Sequence, residues 1–66
     1  MDARELKRMG VDEVMHSEFD QTTYVVRTDH GFAVCDNGEE IEVETAEQAV
    51  IEVLANAQAY ADAHQA

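Results

Sequence analysis

The sequence predicts an α+β fold: a three-stranded antiparallel β-meander with two helices packed on one face, in the order α-β-β-β-α. Three observations lead there. Residues 24–44 hold three β-rich runs separated by two turn signals, Asp29-His30-Gly31 and Asn37-Gly38. Residues 46–61 repeat apolar side chains at helical period behind a capping-box pattern, Thr45 with Gln48. The 66 residues contain no proline, linker or repeat, so residues 1–66 read as a single small acidic domain.

The first helix starts at Asp2, with Glu5 at the capping-box spacing. Leu6 and Met9 form an i, i+3 apolar pair. Gly10 is expected to end the helix in a left-handed conformation. Arg4, Lys7 and Arg8 lie toward its C-terminus, where the helix dipole favours positive charge. Val11 to Gln21 fits neither period, because Val14, Met15 and Phe19 are irregularly spaced. It is expected to be a turn followed by extended chain, with a continuation of the helix or an edge strand beginning near Val14 as the alternatives.

The three strands are expected at Tyr24–Thr28, Phe32–Cys35 and Glu40–Glu44. Asp29-His30-Gly31 suits a three-residue loop with Gly31 at the left-handed bulge position. Asn37-Gly38 suits a type I′ turn, which needs positive φ at both residues. These turns pair Val34 with Ile41 and Phe32 with Val43, and Val26 with Val34 and Thr28 with Phe32. One face then carries Tyr24, Val26, Phe32, Val34, Ile41 and Val43. The other carries Val25, Arg27, Ala33, Cys35, Glu40, Glu42 and Glu44. In the last helix Ala46, Ala49, Val50, Val53, Leu54, Ala57, Tyr60 and Ala61 form the apolar stripe. Ile51 falls off it, which leaves a contact or a dimer open beside the expected monomer. The end, His64-Gln65-Ala66, is expected to fray.

Charge bounds the function. Fifteen Asp and Glu oppose four Lys and Arg, for a net of −11. From Gly10 onward one base, Arg27, stands against thirteen acids. Such a surface repels nucleic acid and acidic membranes and attracts basic partners. No segment reads as a signal peptide or a membrane span, and a lone Cys35 cannot form an internal disulfide, so a cytoplasmic location is expected. His16, His30, His64 and Cys35 are too scattered for a zinc set, so no metal and no cofactor are expected.

Little here suggests catalysis. There is no phosphate-binding glycine loop and no nucleophile beside a base. Cys35 is flanked by Asp36 and faces Glu40, and both oppose thiolate formation. Glu40 and Glu42 on an open sheet lack the pocket that would split their pKa values for acid–base work. The chain is therefore read as a non-enzymatic binding protein. Its candidate partner-binding residues are Asp36, Glu39, Glu40, Glu42, Glu44 and Glu47. Alternate strand residues stand roughly 6.5–7 Å apart on one face, close to the spacing of successive phosphates. A row of carboxylates can thus imitate a nucleic-acid backbone.

The α-β-β-β-α order is shared with double-stranded-RNA-binding domains, but those need Lys and Arg to meet phosphate. In small size, strong acidity and lack of a catalytic set, the chain resembles the phage-encoded anti-CRISPR proteins that act as DNA mimics. That resemblance implies binding to the basic, DNA-contacting surface of a CRISPR effector complex in the host cytoplasm, without a cofactor. Thr45-Ala46-Glu47-Gln48-Ala49-Val50, after a hairpin, is also similar to the strand-to-helix junction of HicB-type antitoxins, which implies a basic toxin as partner. Halophile adaptation is the remaining alternative. The acidity then serves solubility in a salt-rich cytoplasm and names no partner.

Overall fold

A computed structural model of the chain describes residues 1–17, 22–36 and 38–64. The expectations placed on Phe19, Gln21, Asn37, Gln65 and Ala66 lie outside them. Among the described residues six elements follow in the order α1 (Ala3–Lys7), β1 (Val14–His16), β2 (Thr23–Arg27), β3 (Phe32–Asp36), β4 (Glu39–Val43) and α2 (Ala46–His64). The α+β class therefore holds. The sheet has four strands rather than three, in the spatial order β1-β2-β3-β4 with every neighbouring pair antiparallel. The order is α-β-β-β-β-α, not α-β-β-β-α.

The added strand is β1, within the stretch expected to be extended chain. Glu13 N–H donates to the Gly10 carbonyl at 3.1 Å and closes a turn whose third residue, Asp12, has φ 70°. Asp tolerates that left-handed conformation better than most residues. The positive φ expected at Gly10 thus falls two residues later. Helix α1 stops instead on tight bonds from Arg8 N–H to the Glu5 carbonyl (3.2 Å) and from Met9 N–H to the Leu6 carbonyl (3.1 Å). The turn sends Val14–His16 back along β2, pairing Val14 with Val26, Met15 with Val25 and His16 with Tyr24. Asp12 N–H to the Arg27 carbonyl (2.9 Å) and Arg27 N–H to the Glu13 carbonyl (3.0 Å) extend the contact beyond the strand.

The β3–β4 register is the expected one, Phe32 with Val43 and Val34 with Ile41. Gly38 has φ 90° in the turn between them. The β2–β3 register differs by one residue. Arg27 pairs with Phe32, Val26 with Ala33 and Val25 with Val34. The cause is the loop. Thr28 N–H donates to the Gly31 carbonyl at 2.9 Å, so the chain reverses over Asp29-His30 and leaves four residues, not three, between the strands. A one-residue change in loop length turns every side chain of a strand to the other face. Tyr24 and Val26 therefore lie on the outer face, and Val25 and Arg27 on the inner. Gly31 has φ 159°, near-extended rather than left-handed. Its lack of a side chain matters for another reason. A Cβ there would sit 2.9 Å from both the Glu44 Cα and the Glu44 carbonyl oxygen, so only glycine lets the loop pass the end of β4.

The core joins both helices to the inner face: Leu6, Met9, Val25, Phe32, Val34, Ala46, Ala49 and Val53. Leu6, Val25 and Ala49 are fully buried. Arg27 caps its edge, with the guanidinium carbon 4.6 Å from the Phe32 ring centroid. Both helix starts follow their sequence signals. The Asp2 side chain accepts from Glu5 N–H at 2.9 Å, and Asp2 N–H donates to Glu5 Oε1 at 3.1 Å. Thr45 Oγ1 accepts from Gln48 N–H at 3.1 Å, while Gln48 Oε1 accepts from Thr45 N–H at 3.2 Å and from Glu44 N–H at 3.0 Å. The stripe of α2 is buried only at Ala46, Ala49 and Val53, whereas Leu54 and Tyr60 are about half exposed. Length explains Tyr60: a 19-residue helix runs ~28 Å and five-residue strands only ~17 Å, so the distal part of α2 passes beyond the sheet. Leu54 lies only ~12 Å along and is turned roughly a third of a turn away from the buried Val53, at the flank of the stripe.

Candidate functional site

The six candidate carboxylates occupy three settings. Glu40 and Glu42 lie on the outer face of β4, opposite Cys35 and Ala33 of β3. Both are exposed. Strand alternation places Asp36 and the residue paired with it, Glu39, on the inner-face side of the sheet, at the turn end beyond the helices' cover. Asp36 accepts a hydrogen bond from the Thr22 hydroxyl at 2.9 Å. Glu44 follows the end of β4 and, with Thr28, His30, Glu42 and Val43, lines a shallow cleft of about 330 Å³. The sequence-predicted acidic run is thus gathered around one edge strand but divided between its two faces.

Glu47 stands apart from the rest. Lys7 of α1 donates to its Oε2 at 2.7 Å. That hydrogen bond first, then the residue's own backbone N–H, holds the Glu47 carboxyl below the usual range despite some desolvation. Its job in this fold is to tie the start of α2 to α1. Among the described residues, Glu39, Glu40, Glu42 and Glu44 have no such basic partner.

The outer face contains residues that the sequence had placed inside. Cross-strand pairing sets two rows across the four strands. One is His16, Tyr24, Cys35 and Glu40, and the other is Val14, Val26, Ala33 and Glu42. The His16 and Tyr24 rings are tilted by 44° with centroids 5.7 Å apart. A side-chain hydrogen bond with Cys35 is the chief reason the Tyr24 hydroxyl is held above its ordinary pKa, with the nearby Cys35 and Glu40 charges and partial burial adding to it. Neither row holds a Lys or Arg, because Arg27 lies on the other face over Phe32. No periodicity could have pointed to Tyr24 and Val26, since Tyr24-Val25-Val26 offers apolar side chains to both faces.

Among the described residues, no three His, Cys, Asp or Glu side chains gather as metal ligands would. No helix there is long and apolar enough to cross a membrane. No protein-family model matches the chain, and neither a curated protein nor a solved structure is significantly similar to it.

Proposed function

We propose that the protein is a non-enzymatic acidic binding protein that docks its β4 carboxylates on the basic, nucleic-acid-contacting surface of another protein. One observation carries the reading. Glu40 and Glu42 project from the same face of an exposed edge strand, with Glu44 just past its end and Glu39 on the opposite side at the turn, and neither cross-strand row holds a Lys or Arg. Their spacing along the strand, roughly 6.5–7 Å, suits lysines and arginines arranged to meet successive phosphates. Desolvating unpaired carboxylates is costly, so they favour a partner that supplies the missing cations. The likeness to DNA-mimic anti-CRISPR proteins makes a CRISPR effector complex the first target to test.

The test is displacement of labelled target DNA from purified effector complexes. Wild-type protein is expected to release the DNA in dilute buffer and to lose that ability as salt screens the contact. Reversal of Glu40, Glu42 and Glu44 to Lys is expected to abolish release while circular dichroism stays unchanged. Release by the triple variant at wild-type concentrations would refute the carboxylate site. A chain that folds only in molar salt would instead identify the acidity as halophilic.

A further inference from the structure

The outer face of the sheet is not uniformly acidic. It grades from Val14, His16, Tyr24 and Val26 on β1 and β2 to Glu40 and Glu42 on β4, across a width of ~14 Å. Val14 is 49% exposed, and the core, which draws on both helices, lies against the opposite face. Layered α/β folds commonly cover a sheet on both sides, and among the described residues both helices join the core on the other side. Building on the acidic reading above, we infer that this face is the docking site for an amphipathic helix of the partner protein, seated with apolar side chains over Val14, Val26 and Tyr24 and with Lys or Arg beside Glu40 and Glu42.

Charge selects that occupant over the others. A second copy would bring another net charge of −11 and another pair of Glu40 and Glu42 to the contact. A nucleic acid or an anionic membrane meets the same repulsion. A purely cationic segment would satisfy the carboxylates and leave the valines in water. A helix with one apolar stripe and one basic flank matches both halves of the gradient, and its ~10 Å diameter fits within the four-strand width. Such a contact combines apolar burial, which salt does not screen, with carboxylate pairing, which it does.

The probe is a synthetic helical peptide of about 18 residues with a Leu stripe and a Lys flank, titrated by calorimetry and methyl NMR. The control is the same peptide with Leu replaced by Ser. The wild-type protein is expected to bind only the amphipathic peptide, with the largest methyl shifts at Val14 and Val26. Val14→Ser and Val26→Ser should each weaken binding by about tenfold, roughly the effect of removing one buried contact. Glu40→Gln with Glu42→Gln should weaken it and flatten its salt dependence. Val14 is exposed enough that its variant keeps the fold, which the NMR spectrum checks. If only the glutamine variant weakens binding, the apolar seat is wrong and the acidic reading survives. If neither set does, or the peptide does not bind, the helix seat fails, and the acidic reading then rests on the DNA-displacement test alone. Self-association that Val26→Ser abolishes would assign the face to a second copy and overturn the proposed occupant.

Discussion

Val25 and Val26 are chemically identical neighbours in β2, yet they occupy opposite faces of the sheet. Val25 is fully buried between Val34 and Met15, beneath the helices, whereas Val26 is half-buried between Val14 and Ala33 on the open side. Nothing in the residue itself makes the choice. The loop does, by leaving an even number of residues between Arg27 and Phe32. The inner face spends its valines on the fold. The outer face leaves its own available beside unpaired carboxylates. In a domain of 66 residues, where only ~60% of the chain's surface is hidden, Val14 at 49% exposure is one of several apolar side chains left over, beside Ile41, Ile51, Leu54 and Tyr60 elsewhere.

The contrast can be broken most forcefully from the inside. Phe32→Ala is expected to cost about 3–5 kcal/mol, enough to unfold so small a domain, and chemical denaturation would read it directly. The sharper comparison comes next. Val25→Ala should cost about 2–3 kcal/mol, combining two buried methyl groups with a cavity. Val26→Ala should cost under about 1 kcal/mol. Equal urea midpoints for the two variants would remove the distinction between the faces. The smallest effect concerns the Lys7–Glu47 bond, which is exposed and belongs to neither face. Because the folded pKa of Glu47 is lowered, the stabilisation is complete above the ordinary carboxylate range and is lost as pH falls through the lowered value. Lys7→Met should therefore be slightly less stable than wild type at neutral pH, and the gap should close in acid.

The parts of this fold that were legible in the sequence are those where a side chain and a backbone signal agree. Asp2 with Glu5 and Thr45 with Gln48 cap their helices as their spacings require. Glu40, Ile41, Glu42 and Val43 alternate strictly, so a one-residue slip of β4 would turn its carboxylates to the core face, and the turn at Gly38 fixes the rest of its register. Tyr24-Val25-Val26 has no alternation to lose. Its register was left to a loop that is compatible with either of two lengths. Strand β1 has three residues and is held largely by backbone bonds, which leave no trace in hydropathy. The helical stripe held as far as Val53 but was narrower than expected at Leu54, and by Tyr60 it had outrun the strands it packs on. For the candidate site, the exposure of the β4 glutamates was visible in advance. The capture of Glu47 by Lys7, forty residues away in sequence, was not.

The position of β4 at the rim has a consequence for colloidal behaviour. A sheet edge offers unsatisfied amide and carbonyl groups to any strand that drifts near, and is a usual starting point for fibrillar assembly. Here that border is lined by Glu39, Glu40 and Glu42, so two molecules approaching edge to edge meet like charge at every step. Neutralising these side chains by substitution removes that barrier without removing the amides. The chain should stay monodisperse, and a variant carrying Glu39→Gln, Glu40→Gln and Glu42→Gln should form ordered aggregates, visible as thioflavin fluorescence that the wild type lacks.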